Sequence, residues 1–177
     1  MKVLIEPRRG YGSACLAAVR FLEEIGPETV VFMDADYSSD PREIDALVRP
    51  LLKGDIDLVI GCRTPSKRER DSMSLHVKWG NKLALILLKL LYHHSFNDLG
   101  PFRAITWRSL QRLGMEDEAF GWPIEMMIKA LKLNLRIVEV DVSCRKRIGK
   151  SKISGTLMGS VKAGYGILST ILRYAID

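Results

Sequence analysis

The run Val30-Val31-Phe32-Met33, closing on Asp34-Ala35-Asp36, constrains this chain more than any other stretch. Bulky apolar residues without a polar break read as a strand covered on both faces of a parallel sheet, here the central one. Side chains alternate along extended chain, so Asp34 and Asp36 share a direction while the strand lasts. At a strand's C-terminal end both would project into the crevice where open α/β sheets bind ligands. A helix start follows, with Asp40 as N-cap, Pro41 at the first helical position and Glu43 closing a capping box. Ile44, Leu47, Val48, Leu51 and Leu52 then fall on one helical face. Paired carboxylates are hard oxygen ligands suited to Mg2+ or Mn2+, ions usually held by one or two of them plus substrate phosphates. Asp34 and Asp36 are therefore candidate metal ligands. Two readings compete: acids that merely solvate a turn, and a phosphatase-type Asp-x-Asp whose first Asp is a nucleophile.

The 177 residues suit one domain, 1–177, with a substantial core. A formal charge of +6 favours polyanionic partners such as nucleotides, phospholipid head groups or nucleic acid. No aromatic platform or recognition motif accompanies the basic residues, which argues against nucleic acid. Cys15, Cys62 and Cys144 are scattered and odd in number, so neither zinc nor a disulfide framework is expected, and a reducing, cytoplasmic compartment is. The most apolar run, 83–92, is too short to span a bilayer and carries Lys89.

Along the chain, 2–6 reads as a strand. Arg8-Arg9-Gly10-Tyr11-Gly12 is then a tight turn before a helix, where free N–H groups could also hold an anion. A second buried strand, 57–61, delivers Arg63 to the same edge as Asp34 and Asp36 if the strands are parallel. The basic stretch 65–72 reads as a mobile loop, 74–93 as a long helix, and Asn97-Asp98-Leu99-Gly100-Pro101-Phe102-Arg103 as a loop entering a strand. Glu125 falls at the start of a helix beside Trp122, and 135–143 alternates like a strand. Arg145-Lys146-Arg147-Ile148-Gly149-Lys150-Ser151-Lys152 carries five cations in eight residues. Their mutual repulsion predicts a loop that orders only around a bound anion. The last helix, about 154–174, sets Leu157, Val161, Tyr165, Leu168 and Leu172 on one side, for core packing or for a membrane surface.

Taken together, these motifs resemble the family 2 glycosyltransferases of the polyprenyl- or dolichyl-phosphate sugar transferase type. The matching pieces are Arg8 to Gly12, Asp34-Ala35-Asp36 with Asp40-Pro41, Gly61-Cys62-Arg63, Asp98 to Arg103, Gly121-Trp122 with Glu125, and Arg147 to Lys152. The resemblance implies a GT-A fold, an α/β, mostly parallel sheet flanked by helices. It implies an enzyme that transfers a sugar from a nucleotide-diphosphate donor to a lipid-linked phosphate with inversion, peripheral at the cytoplasmic membrane face. In that scheme Asp34 and Asp36 hold Mg2+ or Mn2+, and Arg63, Arg147 and Lys152 contact phosphates. Asp98, Arg103 and Glu125 face the acceptor as catalytic candidates. Members of the family usually begin with two further strands that bind base and ribose. The present chain starts at the third, so it reads as N-terminally truncated, and its first strand should seek a second copy or a partner chain at an open edge. A non-catalytic remnant is the alternative function, and an Asp-x-Asp phosphatase the more distant one.

Overall fold

The computed structural model describes residues 2–70, 72–149 and 157–176. The elements run α1 (Tyr11–Glu23), β1 (Thr29–Phe32), α2 (Ile44–Leu52), β2 (Leu58–Arg68), α3 (Leu75–Tyr92), β3 (Arg103–Thr106), α4 (Trp107–Leu113), α5 (Trp122–Lys132), β4 (Ile137–Cys144) and α6 (Leu157–Ile176). The α/β architecture expected from the sequence is present. Its four strands lie in the order β1-β3-β2-β4. β3 runs against β1 and β2, whereas β2 and β4 are parallel. β1, β2 and β4 therefore point the same way, and one edge of the sheet collects their C-terminal ends.

Alternation along the strands separates two apolar layers. Val30, Phe32, Leu58, Ile60 and Ile105 pack with Ala84 and Leu88 of α3, Leu110 of α4, Ile124 to Ile128 of α5 and Ile171 of α6. On the other face Val59, Ala104 and Val142 meet Leu47 and Leu51 of α2. Burying a leucine as completely as Leu47 matters: truncation to alanine typically costs about 2–5 kcal/mol.

Several local expectations are corrected. Residues 2–6 form no strand, since no neighbouring strand offers them a ladder. They are tied down by side chains, Lys2 over the Phe21 ring at 3.8 Å and Glu6 paired with Arg8 and Arg20. β1 is thus not the central strand but an edge strand, with Val30 and Phe32 covered and Thr29 and Val31 half-covered. β2 does not end at residue 61. Its far end rejoins β4 at Arg68 opposite Cys144, and Lys67 Nζ donates to the Asp141 carbonyl at 3.0 Å, so much of the expected mobile loop is strand. Leu52 is exposed beyond the packed stripe of α2. In α6 the side of Val161, Tyr165 and Leu172 faces solvent, while Ile171 is the residue taken into the core.

Candidate functional site

Three loops meet where β1, β2 and β4 end. In the first, Asp36 Oδ1 accepts from the Ser38 amide at 2.9 Å, and Tyr37 between them holds φ at 72°. A left-handed tyrosine stores roughly 1–3 kcal/mol and persists only where its surroundings impose it. Asp40 caps a short 3-10 turn, Pro41–Glu43, by accepting from the Arg42 amide at 3.1 Å. Hydrogen bonds from the Arg42 side chain, with the Arg145 charge behind them, bring the Asp40 carboxyl down to about 2. The expected capping box is not made. Glu43 instead accepts from the amide and hydroxyl of Ser143, at 3.0 and 2.9 Å, and so ties the start of α2 to the end of β4.

The basic loop after β4 lies across the acids. Arg147 grips Asp36 Oδ2 through Nε at 2.8 Å and through a second guanidinium nitrogen. Arg145 pairs with Asp40 and covers the Tyr37 ring at 5.1 Å. The backbone follows, with the Arg145 amide on the Ser38 carbonyl and the Ile148 amide on the Asp36 carbonyl, both at 2.9 Å. The expectation of a loop ordered only by a bound anion is corrected for residues 145–149, where Asp40 and Asp36 pair with Arg145 and Arg147; Lys150 lies outside the described residues. Lys152, the remaining candidate of this stretch, lies outside the described residues.

Asp34, Ser38, Arg63 and Arg147 line one cleft of about 140 Å3, together with Ser143, Cys144 and the approach to α3. That is below the several hundred Å3 typical of small-molecule sites. Asp34 has no ion-pair partner among the described residues. Burial raises its pKa above the ordinary value, and the more distant Arg147, Arg63 and Arg103 charges and a hydrogen bond from Tyr11 only partly oppose this. A desolvated carboxylate is a setting that a divalent cation relieves; Asp36, the second candidate ligand, does not line the cleft and borders it through Arg147. Among the described residues no cluster of three or more His, Cys, Asp and Glu side chains could hold a metal unaided. Two carboxylates would need substrate oxygens and water to complete the shell of such an ion.

The other candidates are placed close by but differently engaged. Asp98, 2% exposed, takes the Arg63 side chain at 2.7 and 2.8 Å and the Arg63 amide at 3.0 Å. Burial would raise its pKa, but these bonds outweigh burial and hold it below the ordinary range. Gly100 lets this loop lie against β2, since a Cβ there would stand 2.0 Å from the Gly61 carbonyl oxygen. Arg103, 1% exposed, has backbone carbonyls for partners, those of Gly100 and Pro123. Burial brings its guanidinium down to about 10, which still leaves it charged at neutral pH. Glu125 does not line the cleft. Wholly buried, it accepts from the amides of Glu116 and Asp117 at 2.8 Å, from Lys129 Nζ at 2.8 Å and from the Tyr174 hydroxyl at 2.9 Å.

The Arg8 to Gly12 turn holds no free anion site at Gly12 and Ser13. Their amides donate to the Ala119 and Glu118 carbonyls at 3.0 and 2.9 Å. The phosphatase reading also loses its acids, because Asp57 precedes β2 at the opposite edge and pairs with Arg136 at 3.0 Å. Sequence reasoning missed Tyr11 beneath Asp34, Ser38 in the cleft, and Arg145 on Asp40. Tyr11 and Arg145 are distant in sequence from the groups they meet, so only the tertiary fold makes them visible, whereas Ser38 is two residues from Asp36.

Solved structures with this architecture define the class. Glucosyl-3-phosphoglycerate synthase from Mycobacterium tuberculosis, in complex with Mn2+, uridine-diphosphate and phosphoglyceric acid, superposes with a TM-score of 0.73 over 97% of this chain and 56% of its own, at 22% identity. The fold is that of the GT-A glycosyltransferases.

The family model described as Glycosyl transferase family 2 matches residues 1–114. An uncharacterized glycosyltransferase of Mycobacterium bovis is 38% identical over 167 residues, 92% of this chain and 72% of its own length. Undecaprenyl-phosphate mannosyltransferase of Micrococcus luteus is 30% identical over 161 residues, 85% of this chain and 63% of its own. The chain belongs to glycosyl transferase family 2. It spans a little over half of the solved structures' length and 72% of the mycobacterial relative's.

Proposed function

We propose that this chain carries the sugar-transfer site of an enzyme that moves a sugar from a nucleotide-diphosphate donor to a lipid-linked phosphate. The observation that supports the reading is that Asp34 after β1, Arg63 of β2 and Arg147 after β4 line one cleft, with Asp36 held beside it by Arg147. Asp34 and Asp36 would hold Mg2+ or Mn2+, which when bound offsets the charge of the departing diphosphate. Arg147, released from Asp36, turns its guanidinium to the diphosphate, and Arg63 presents the second cation. Lys152 joins them by its place in the same basic motif.

In the reaction the bond from the sugar's anomeric carbon to the donor diphosphate breaks as the acceptor phosphate oxygen bonds that carbon from the opposite face, which inverts it. The acceptor is already an anion, so no side chain need remove a proton. Asp98, Arg103 and Glu125 act by positioning. Asp98 aims Arg63, Arg103 fixes the 98–101 loop, and Glu125 fixes the 116–117 loop.

The lipid-phosphate acceptor is favoured by the similarity to the undecaprenyl-phosphate mannosyltransferase, since the family alone leaves the acceptor open. The test is to supply labelled nucleotide sugars with undecaprenyl phosphate or with 3-phosphoglycerate and follow the label. Label extracted into organic solvent supports the reading. Label appearing only in a water-soluble product overturns the acceptor, and none in either overturns the activity.

A further inference from the structure

We infer that Glu139 is a positioning residue for the transfer, one that aims Arg63 at the donor diphosphate without reaching the cleft itself. Glu139 stands on β4 opposite Ile60 of β2, three residues before Val142, which is the partner of Arg63. The cleft lining does not include it. Its carboxylate reaches instead the loop that leaves α3. Oε1 and Oε2 accept from the Asn97 amide at 2.9 and 3.1 Å, Oε2 from Asn97 Nδ2 at 2.7 Å, and Oε1 from the Asp98 amide at 3.2 Å. Asp98, fixed at its own backbone, offers Oδ2 to Arg63 Nε at 2.7 Å and Oδ1 to a terminal guanidinium nitrogen at 2.8 Å. Glu139 thus touches Arg63 only through Asp98.

A two-bond pair such as Asp98 with Arg63 depends on angle as well as distance, so a carboxylate turned by a loose backbone loses part of it. The rest of the loop has other holds: Asn81 of α3 takes the Leu99 amide at 3.1 Å, and Arg103 Nε donates to the Gly100 carbonyl at 3.1 Å. The amides of Asn97 and Asp98 fall to Glu139. Three donors meeting two oxygens need a group that only accepts, which is what a carboxylate is. A glutamine of the same shape would turn its own NH2 group toward one of those donors and leave that donor without a partner. Charge gives the role a signature. At long range a carboxylate repels an incoming diphosphate, so loss of the Glu139 charge would by its field alone tighten diphosphate binding. Loss of the aim of Arg63 does the opposite. The inference rests on the sugar-transfer reading for what Arg63 meets, whereas the hold on Arg63 is argued from the hydrogen bonds.

The test uses the full chain and two measurements. The first follows the Arg63 Nε proton by NMR without ligand or metal. It should be protected from solvent exchange in the parent and exchange about tenfold faster in Glu139→Gln, with the circular dichroism spectrum unchanged. The second titrates uridine and guanosine diphosphates with Mn2+ by calorimetry. Glu139→Gln should weaken binding about tenfold, and should add less than about twofold once Arg63→Gln is present. Should Glu139→Gln fail to fold, Asn97→Asp at an exposed position sets one carboxylate against another, and the Arg63 Nε proton should again exchange faster. An Nε proton equally protected in the folded variant, tighter diphosphate binding by Glu139→Gln, or equal losses with and without Arg63 overturns the inference. A parent that binds no diphosphate fails the sugar-transfer reading instead, and the Nε proton still decides the role of Glu139.

Discussion

Asp34 lines the cleft and Asp98 is buried behind Arg63, and their surroundings drive the two carboxylates in opposite directions. Burial without an ion pair raises the Asp34 pKa above 3.8, so the folded state takes up a proton there before the unfolded chain does. Its contribution to stability is full below 3.8 and is lost as pH rises through the folded pKa. Asp34→Asn removes that loss. The variant should be more stable than the parent at neutral pH in urea melts, and the difference should shrink in mild acid. Unchanged or lower stability at neutral pH would mean Asp34 is already compensated. Asp98 is depressed by Arg63, so its contribution is present above 3.8 and falls away as pH drops through its folded value. Asp98→Asn keeps the shape but leaves the Arg63 guanidinium poorly paired in a buried place. Breaking such a pair costs roughly 3–5 kcal/mol, and a loss under about 1 kcal/mol would show that water reaches Arg63.

At the scale of elements, the sequence discloses what is local and hides what is long-range. The Asp40 N-cap and the ends of α3 at Ser74 and His93 are written in neighbouring residues and stand where expected, while β1 ends at Phe32, one residue short of the apolar run. The partner of Glu43 could not be read, because a glutamate three residues into a helix fits a capping box equally well, and Ser143 lies 100 positions away. The same holds for the opening turn of α1. Gly10 and Gly12 suggest an anion cradle, yet their use is close packing: a Cβ on Gly12 would stand 1.8 Å from the Asp117 carbonyl oxygen. Gly12→Ala must therefore push α1 off the 117–119 loop that Glu125 also holds. A loss of about 1–3 kcal/mol is expected in thermal or urea unfolding, the range for overpacking. A neutral result would show that this loop yields freely.

For the whole molecule, a single edge of the sheet gathers the acids after β1, Arg63 of β2 and the basic loop after β4, because those three strands share one direction. That convergence was legible from the order of motifs once their likeness to a family was seen. The latch of Arg147 on Asp36 was not, since it joins residues 111 positions apart. Under the proposed function the two side chains would exchange partners, Asp36 taking a divalent ion and Arg147 the diphosphate. Arg147→Ala should consequently bind Mn2+ alone more tightly than the parent, and Mn2+ with a nucleoside diphosphate less tightly, by about tenfold each way. Equal affinities would mean that Arg147 lies outside the site. The most direct measurement is calorimetric titration of uridine and guanosine diphosphates into the parent chain and into Asp36→Asn, with and without Mn2+. Binding of at least one diphosphate that requires Mn2+ and weakens about tenfold or more in Asp36→Asn is the result expected. Binding indifferent to both Mn2+ and Asp36, or none at all, would contradict the assignment of the acidic pair.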